Sequence, residues 1–134
     1  MIEKYILKCI YCDKERNVII QATENDDNVE VAFFLEKIAI IKIADNFFEA
    51  LVELRKELEN QGIKLLCKGC CVNVYPSAMV LGMGVGRKAY ALTLGEQAKR
   101  SSLVDIFEPC ELKEYASVDE QQNFFNKWCN SIGE

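Results

Sequence analysis

Apolar and polar residues alternate imperfectly over residues 4–11, and strand-like apolar runs follow up to residue 43, a pattern that predicts β-strands. The runs are rich in β-branched and aromatic residues, and charged clusters at 13–17 and 24–28 separate them as turns. Strands so close together in the chain are most simply paired as an antiparallel meander. The runs at 29–35 and 38–43 could be two strands or one bent strand. The predicted strands in this part of the chain are 4–11, 18–22, 29–35 and 38–43.

A helical periodicity replaces the alternation over residues 46–60. Asp45 is the expected N-cap, and Gly62 stands where a left-handed residue would end the helix. Such an apolar stripe packs on a sheet, and each large side chain that it buries contributes about 1.5–3 kcal/mol. The stripe consists of Phe47, Leu51, Leu54 and Leu58, and Phe48 and Val52 widen it.

The second half of the chain repeats the order of strands followed by a helix. Ser117 and Glu120 have the spacing of a capping box and predict a second helix at 118–131. Residues 1–134 therefore predict a single α+β domain, with an antiparallel or mixed sheet of about six to seven strands covered by helices at 46–60 and 118–131. The additional predicted strands are 63–67, 72–75, 88–94 and 103–107.

Composition and charge limit the classes of function. The chain carries 21 acidic and 16 basic residues, and a net charge of −5 disfavours a nucleic-acid or anionic-membrane partner and favours a basic one. The first ten residues lack the features of a signal peptide, and no apolar run is long enough to span a bilayer. Seven cysteines without a framework pattern suit reduced cytosolic thiols. We therefore expect a soluble cytoplasmic protein, bacterial in style.

Histidine is absent from the chain, which removes the commonest general base and metal ligand. The usual Ser-His-Asp and Cys-His constellations are excluded with it. We expect a protein that is not an enzyme, and we assign no catalytic residue, metal or cofactor.

The cysteines at Cys9, Cys12, Cys67 and Cys70 leave one metal hypothesis open. Two Cys-x-x-Cys pairs can supply four thiolates to a tetrahedral zinc ion. The two pairs are far apart in the sequence, and an extended strand would point Cys9 and Cys12 to opposite faces. The alternative is that these thiols are small apolar residues of neighbouring strands.

Residues 63–94 form the locally basic part of this acidic chain, since no acidic residue lies between Glu59 and Glu96. The glycines at 82, 84 and 86, followed by Arg87 and Lys88, could hold an anion such as a phosphate. They match neither common phosphate-binding motif, and a flexible connection between two strands is the alternative.

Two groups of residues are the candidates for contact with a partner protein. The first group has side chains enriched in interfaces: Tyr75, Met79, Met83, Arg87, Lys88 and Tyr90. The second group is acidic and could dock on a basic surface: Glu24, Asp26, Asp27, Glu30, Asp105, Glu108 and Glu111.

In its size, acidity and α+β layout, and in its lack of catalytic parts, the chain resembles the small immunity proteins of bacterial contact-dependent and polymorphic toxin systems. The resemblance covers the whole chain and rests on no signature motif. It implies a cytoplasmic inhibitor that binds a cognate, basic protein toxin, often a nuclease, and blocks its active site. A domain that binds a small molecule or nucleotide through residues 82–88 is the alternative function.

Overall fold

Five antiparallel strands form the main sheet of the computed structural model, which describes residues 2–82 and 84–133. They are Ile2–Tyr11 (β1), Lys14–Glu24 (β2), Val29–Leu35 (β3), Ile38–Ala44 (β4) and Ile63–Leu66 (β5). Their order is β4-β3-β2-β1-β5, so the first strand of the chain lies inside the sheet between β2 and β5. The predicted antiparallel meander is confirmed for β1 to β4.

Tight turns make the first strands longer than predicted. Cys12 and Asp13 both have positive φ, 54° and 61°, as a two-residue type I′ hairpin turn requires. The predicted turn at 13–17 is wrong, because residues 14–17 belong to β2, where Glu15 pairs with Lys8 and Arg16 pairs with Glu36. A second turn, in which Glu36 has a φ of 52°, separates β3 from β4. Residues 29–43 are therefore two strands, and the alternative of one bent strand is excluded.

One helix, Phe47–Asn60 (α1), covers the inner face of the main sheet and contacts β3, β4 and β5. Its N-cap is Asn46 rather than the expected Asp45, because the Asn46 side chain accepts a hydrogen bond of 2.9 Å from the Glu49 N–H. Gly62 has a φ of 73° just beyond the helix, as predicted. The four leucine and phenylalanine residues of the predicted stripe are all buried.

The later strands form a separate sheet, which the sequence did not indicate. These strands are Val74–Tyr75 (β6), Lys88–Ala91 (β7) and Leu103–Asp105 (β8), antiparallel in the order β6-β7-β8. A four-residue helix, Ala78–Leu81 (α2), follows β6. The described chain thus has eight strands in two sheets, where we had expected about six to seven in one.

The last helix, Val118–Ser131 (α3), begins at the predicted residue with the predicted capping box. It packs on α1 and β6 and does not cover the main sheet as expected. One continuous cluster of buried side chains joins both sheets and α1. Among the described residues, no helix has both the length and the apolar character needed to cross a membrane.

A buried polar contact connects the two long helices. The Arg55 guanidinium of α1 is 1% exposed and donates to the Gln121 side-chain oxygen of α3 at 2.7 Å. It also donates to the carbonyls of Gly69 and Ala116, at 3.2 and 2.9 Å. The Gln121 amide donates in turn to the carbonyls of Gly69, Cys71 and Val74, at 2.9 Å each. These bonds fix the position of the segment that follows β5.

Candidate protein-binding surface

The outer face of the main sheet, opposite α1, carries large apolar side chains in contact with solvent. Two rows cross the strands: Ile6 lies beside Ile19, which lies beside Phe34, and Ala32 lies beside Ile41. A soluble sheet usually presents polar residues on its solvent face, so these side chains indicate a contact surface. Five isoleucines there are between 41% and 78% exposed: Ile2, Ile6, Ile19, Ile41 and Ile43.

A shallow depression of about 510 Å³ lies on this face. Ile6, Ile19 and Phe34 form its apolar part, and Asn17 and Glu36 lie at its polar border. An apolar centre with a polar rim is the usual composition of a protein interface.

Within the part of the chain that the structure describes, β4 and β5 are the two edge strands of the main sheet, and the Cys110 N–H donates to the Leu66 carbonyl of β5. The sequence of β4, IAIIKIA, has a single charge, Lys42, whose amine lies 2.8 Å from the Glu57 carboxylate of α1. The β4 edge presents unpaired backbone groups beside exposed Ile41 and Ile43. Such an edge can accept an added strand from a partner.

An acidic cluster lies at one end of the main sheet, around the turn between β2 and β3. Glu24, the last residue of β2, is exposed, as are Asp26 and Asp27 in the turn that follows. They line a small cleft of about 180 Å³ together with Asp45 and Val85, so the structure brings the predicted acidic turn beside the glycine-rich segment. We call the turn residues 24–28 with Asp45 the acidic end. Glu30, half-buried on β3, lies opposite Ile43 and connects the acidic end to the isoleucine face.

The predicted aromatic and methionine contacts are divided between surface and interior. Met79 is 75% exposed on α2, whereas Met83 lies outside the described residues. Tyr75 stacks on Phe125 with ring centroids 4.0 Å apart, and its hydroxyl donates to Gln122 at 2.9 Å. Tyr75 therefore makes internal contacts that hold α3 in place. Tyr90, which lies opposite Tyr75 on the neighbouring strand β7, is half-buried.

In the described part of the glycine-rich segment, Gly84–Gly86 form a short turn, and the two basic residues that follow it differ in availability. Arg87 forms an ion pair with Glu3, and its guanidinium lies 4.8 Å from the centre of the Phe47 ring. Lys88 is exposed. A phosphate at this turn would have to displace Glu3 from Arg87, which makes the segment a weak anion site.

The second predicted acidic group is part of local structure. Asp105 accepts a hydrogen bond from the Phe107 N–H at 2.9 Å, and Glu108 accepts one from the Asp105 N–H at 3.1 Å. Glu111 caps a short 3-10 turn and lies 3.3 Å from the Lys113 amine. These carboxylates stabilise the chain between β8 and α3, and their predicted role in partner binding stays a prediction.

The two cysteine pairs do not meet at one site. Cys12 is exposed in the hairpin turn, whereas Cys9, Cys67 and Cys70 are buried. The Cys67 and Cys70 sulfurs lie 3.6 Å apart near Arg55. The hydrogen bond to Cys70 and burial raise the pKa of Cys67. Burial would also raise the pKa of Cys70, but the bond from Cys67 and the Arg55 charge lower it below its ordinary value.

Sequence reasoning missed the isoleucine face and a second group of thiols. The signal for the face was present, because Ile19 to Ile20 and Ile40 to Ile41 place apolar residues on both sides of a strand. The second group contains Cys71 and Cys110, which lie with Glu114 in one cluster. No spacing motif relates Cys110 to Cys71, so only the fold could bring them together.

The chain matches no protein-family model and no curated protein. Its function must therefore be argued from the arrangement of its own residues.

Proposed function

We propose that this protein is an immunity-type inhibitor that binds a basic protein toxin in the cytoplasm and blocks the toxin's active site. The observation that carries the proposal is the row of exposed isoleucines on the outer sheet face, bordered by the acidic end. The isoleucines would supply the apolar centre of the interface. The acidic end would attract a basic partner and fix its orientation.

The size of the face supports a contact that uses both parts. Four strands about 4.8 Å apart and about seven residues long, at about 3.4 Å per residue, give an area of roughly 450 Å². A standard interface buries about 800 Å² on each partner. The sheet face therefore accounts for roughly half of such an interface, and the adjoining acidic end and β4 edge provide the remaining surface.

The test uses a defined toxin rather than an unknown binder. The product of the gene directly upstream is expressed with and without this protein, and cell growth and the affinity of the purified pair are measured. Co-expression should restore growth. Ile19→Asp should weaken binding roughly 10- to 100-fold, because one buried isoleucine contributes about 1.5–3 kcal/mol. The matched control is Leu94→Asp, at a residue 49% exposed outside the sheet face.

Charge reversal separates the two parts of the surface. Replacing Asp26 and Asp27 with lysine should lower the association rate at low salt and leave the dissociation rate nearly unchanged. Equal affinities of the Ile19 and Leu94 variants would exclude the sheet face as the contact. Failure of the wild-type protein both to bind the toxin and to protect cells would refute the inhibitor function.

A further inference from the structure

Two thiols and a carboxylate converge beside the β5 edge of the main sheet. The sulfurs of Cys71 and Cys110 and a carboxylate oxygen of Glu114 all lie within 4.8 Å of one another. Cys71 is buried, and the other two are half-buried, so the cluster has one side open to solvent. Thiolates and carboxylates are both zinc ligands, and three such groups at these distances could hold one metal ion.

Backbone hydrogen bonds hold the three residues in place. The Cys110 N–H donates to the Leu66 carbonyl of β5 at 3.3 Å. The Val72 N–H, next to Cys71, donates to the Glu114 carbonyl at 3.0 Å. Cys71 also forms a β-bridge with Tyr115. The segments that carry the ligands are thus connected to each other and to the main sheet, and the site would be largely formed before a metal binds.

We propose that Cys71, Cys110 and Glu114 bind one Zn²⁺ ion, with a water molecule as the fourth ligand. Zinc lies about 2.3 Å from sulfur and about 2.0–2.2 Å from oxygen in tetrahedral sites, which separates ligand atoms by about 3.5–3.8 Å. The cluster needs to contract by no more than about 1 Å to reach that geometry. Each thiol loses one proton as it forms its zinc–sulfur bond, so binding releases two protons and requires no oxidant or reductant.

The Glu114 carboxylate is already oriented for this role. One oxygen accepts a hydrogen bond from the Glu111 N–H at 2.9 Å, which fixes the plane of the group. The other oxygen lies 3.5 Å from the Lys68 amine. A zinc ion would replace Lys68 at this oxygen, and a partly exposed ion pair of this kind costs little to break. Lys68 is therefore a competitor of the metal.

The Cys67–Cys70 pair is a poorer alternative site. Both thiols are fully buried, and among the described residues no third ligand atom lies within 4.8 Å of both sulfurs. The Arg55 guanidinium, whose positive charge acts on Cys70, would repel a metal ion at this pair. The cysteine pair that sequence spacing had suggested is thus less suitable than Cys71 and Cys110.

Cobalt substitution tests the site directly. The reduced full-length protein is titrated with Co²⁺, whose thiolate charge-transfer and tetrahedral d–d absorption bands report the ligands, and then with Zn²⁺. One equivalent of Co²⁺ should give both bands, and Zn²⁺ should abolish them. Calorimetry of Zn²⁺ binding in buffers with different ionisation enthalpies should show the release of two protons.

Variants show whether these residues are the ligands. Cys110→Ser should remove at least half of the charge-transfer absorption, and Glu114→Gln should weaken binding by about 10-fold or more. Cys129→Ser, at a half-buried thiol on α3, should leave the charge-transfer absorption and the metal affinity unchanged. Lys68→Met should tighten binding several-fold, which a merely structural effect would not produce. Far-UV circular dichroism confirms that each variant is folded.

The results distinguish the proposed site from its alternatives. Absence of the absorption bands in the wild-type protein at millimolar Co²⁺ would refute the proposal. If the bands are unchanged in Cys110→Ser and lost in Cys67→Ser, the metal lies at the Cys67–Cys70 pair. That result would also refute the proposed site. Neither result bears on toxin binding, which is tested with residues of the outer sheet face.

Discussion

The buried contact between Arg55 and Gln121 gives the sharpest test of how the two long helices are held together. Gln121→Leu removes an amide that serves four partners within 3 Å and keeps a side chain of similar size. The bond to the charged guanidinium contributes about 1.5–3 kcal/mol, and the two amide protons contribute about 1 kcal/mol each. The free energy of unfolding should therefore fall by roughly 3–5 kcal/mol.

This loss is large for a small domain, whose total stability is about 5–15 kcal/mol. Urea unfolding measures it, followed both by the fluorescence of Trp128, the single tryptophan, and by far-UV circular dichroism. Asn123→Leu is the matched control, because Asn123 is exposed on the same helix, and it should change stability by no more than about 0.5 kcal/mol.

The double variant tests the physical reason for the effect. Gln121→Leu leaves the Arg55 charge buried with fewer partners, and Arg55→Met removes that charge. The double variant should therefore lose less stability than the sum of the two single variants. A loss below about 1 kcal/mol for Gln121→Leu, or strict additivity, would refute the argument that the buried cation depends on this amide.

Two further predictions use backbone geometry and pH. Gly86 and Gly95 both have a φ of 82°, but an added Cβ would lie 2.9 Å from Asn46 at position 86 and would meet nothing within 4 Å at position 95. Gly86→Ala should thus destabilise the protein by about 1 kcal/mol more than Gly95→Ala, because it also disturbs the Asn46 cap of α1. Equal losses of unfolding free energy in urea would contradict this. Burial raises the pKa of Tyr115 above its ordinary value near 10, so the unfolded chain ionises first and stability is lost as pH rises above 10. Tyr115→Phe should make the fall of unfolding free energy with pH shallower by about 1.4 kcal/mol per unit, and an unchanged slope would show that the hydroxyl is hydrated.

Local patterns were sufficient to predict most individual elements. The helix at 118–131 has the predicted bounds because its capping box and periodicity both lie within the helix itself. The first helix was predicted to begin at residue 46 and begins at Phe47, because Asp45 and Asn46 are both good N-cap residues and only the folded geometry shows which of them caps the helix. Short-range chemistry thus predicts the type of an element better than its ends.

Long-range arrangement was beyond the reach of these patterns. The division into two sheets depends on which strand edges meet, and residues 74–75 and 103–105 are too short to show a period. The burial of Arg55 was unexpected, because arginine is rarely buried, and its acceptors come from Gly69, Ala116 and Gln121, far from it in the sequence. The Cys71–Cys110 cluster was hidden for the same reason.

The internal position of β1 has a consequence for the order in which the chain folds during synthesis. Strands β1 to β4 pair with neighbours in sequence, so this meander can form as soon as residues 2–44 leave the ribosome. One edge of β1 stays unpaired until β5 has been made, because three hairpin turns and a helix separate Tyr11 from its partner Ile63 in the chain. We expect closure of this pair to be the slow step, and the nascent chain to need protection of that edge until α1 and β5 dock.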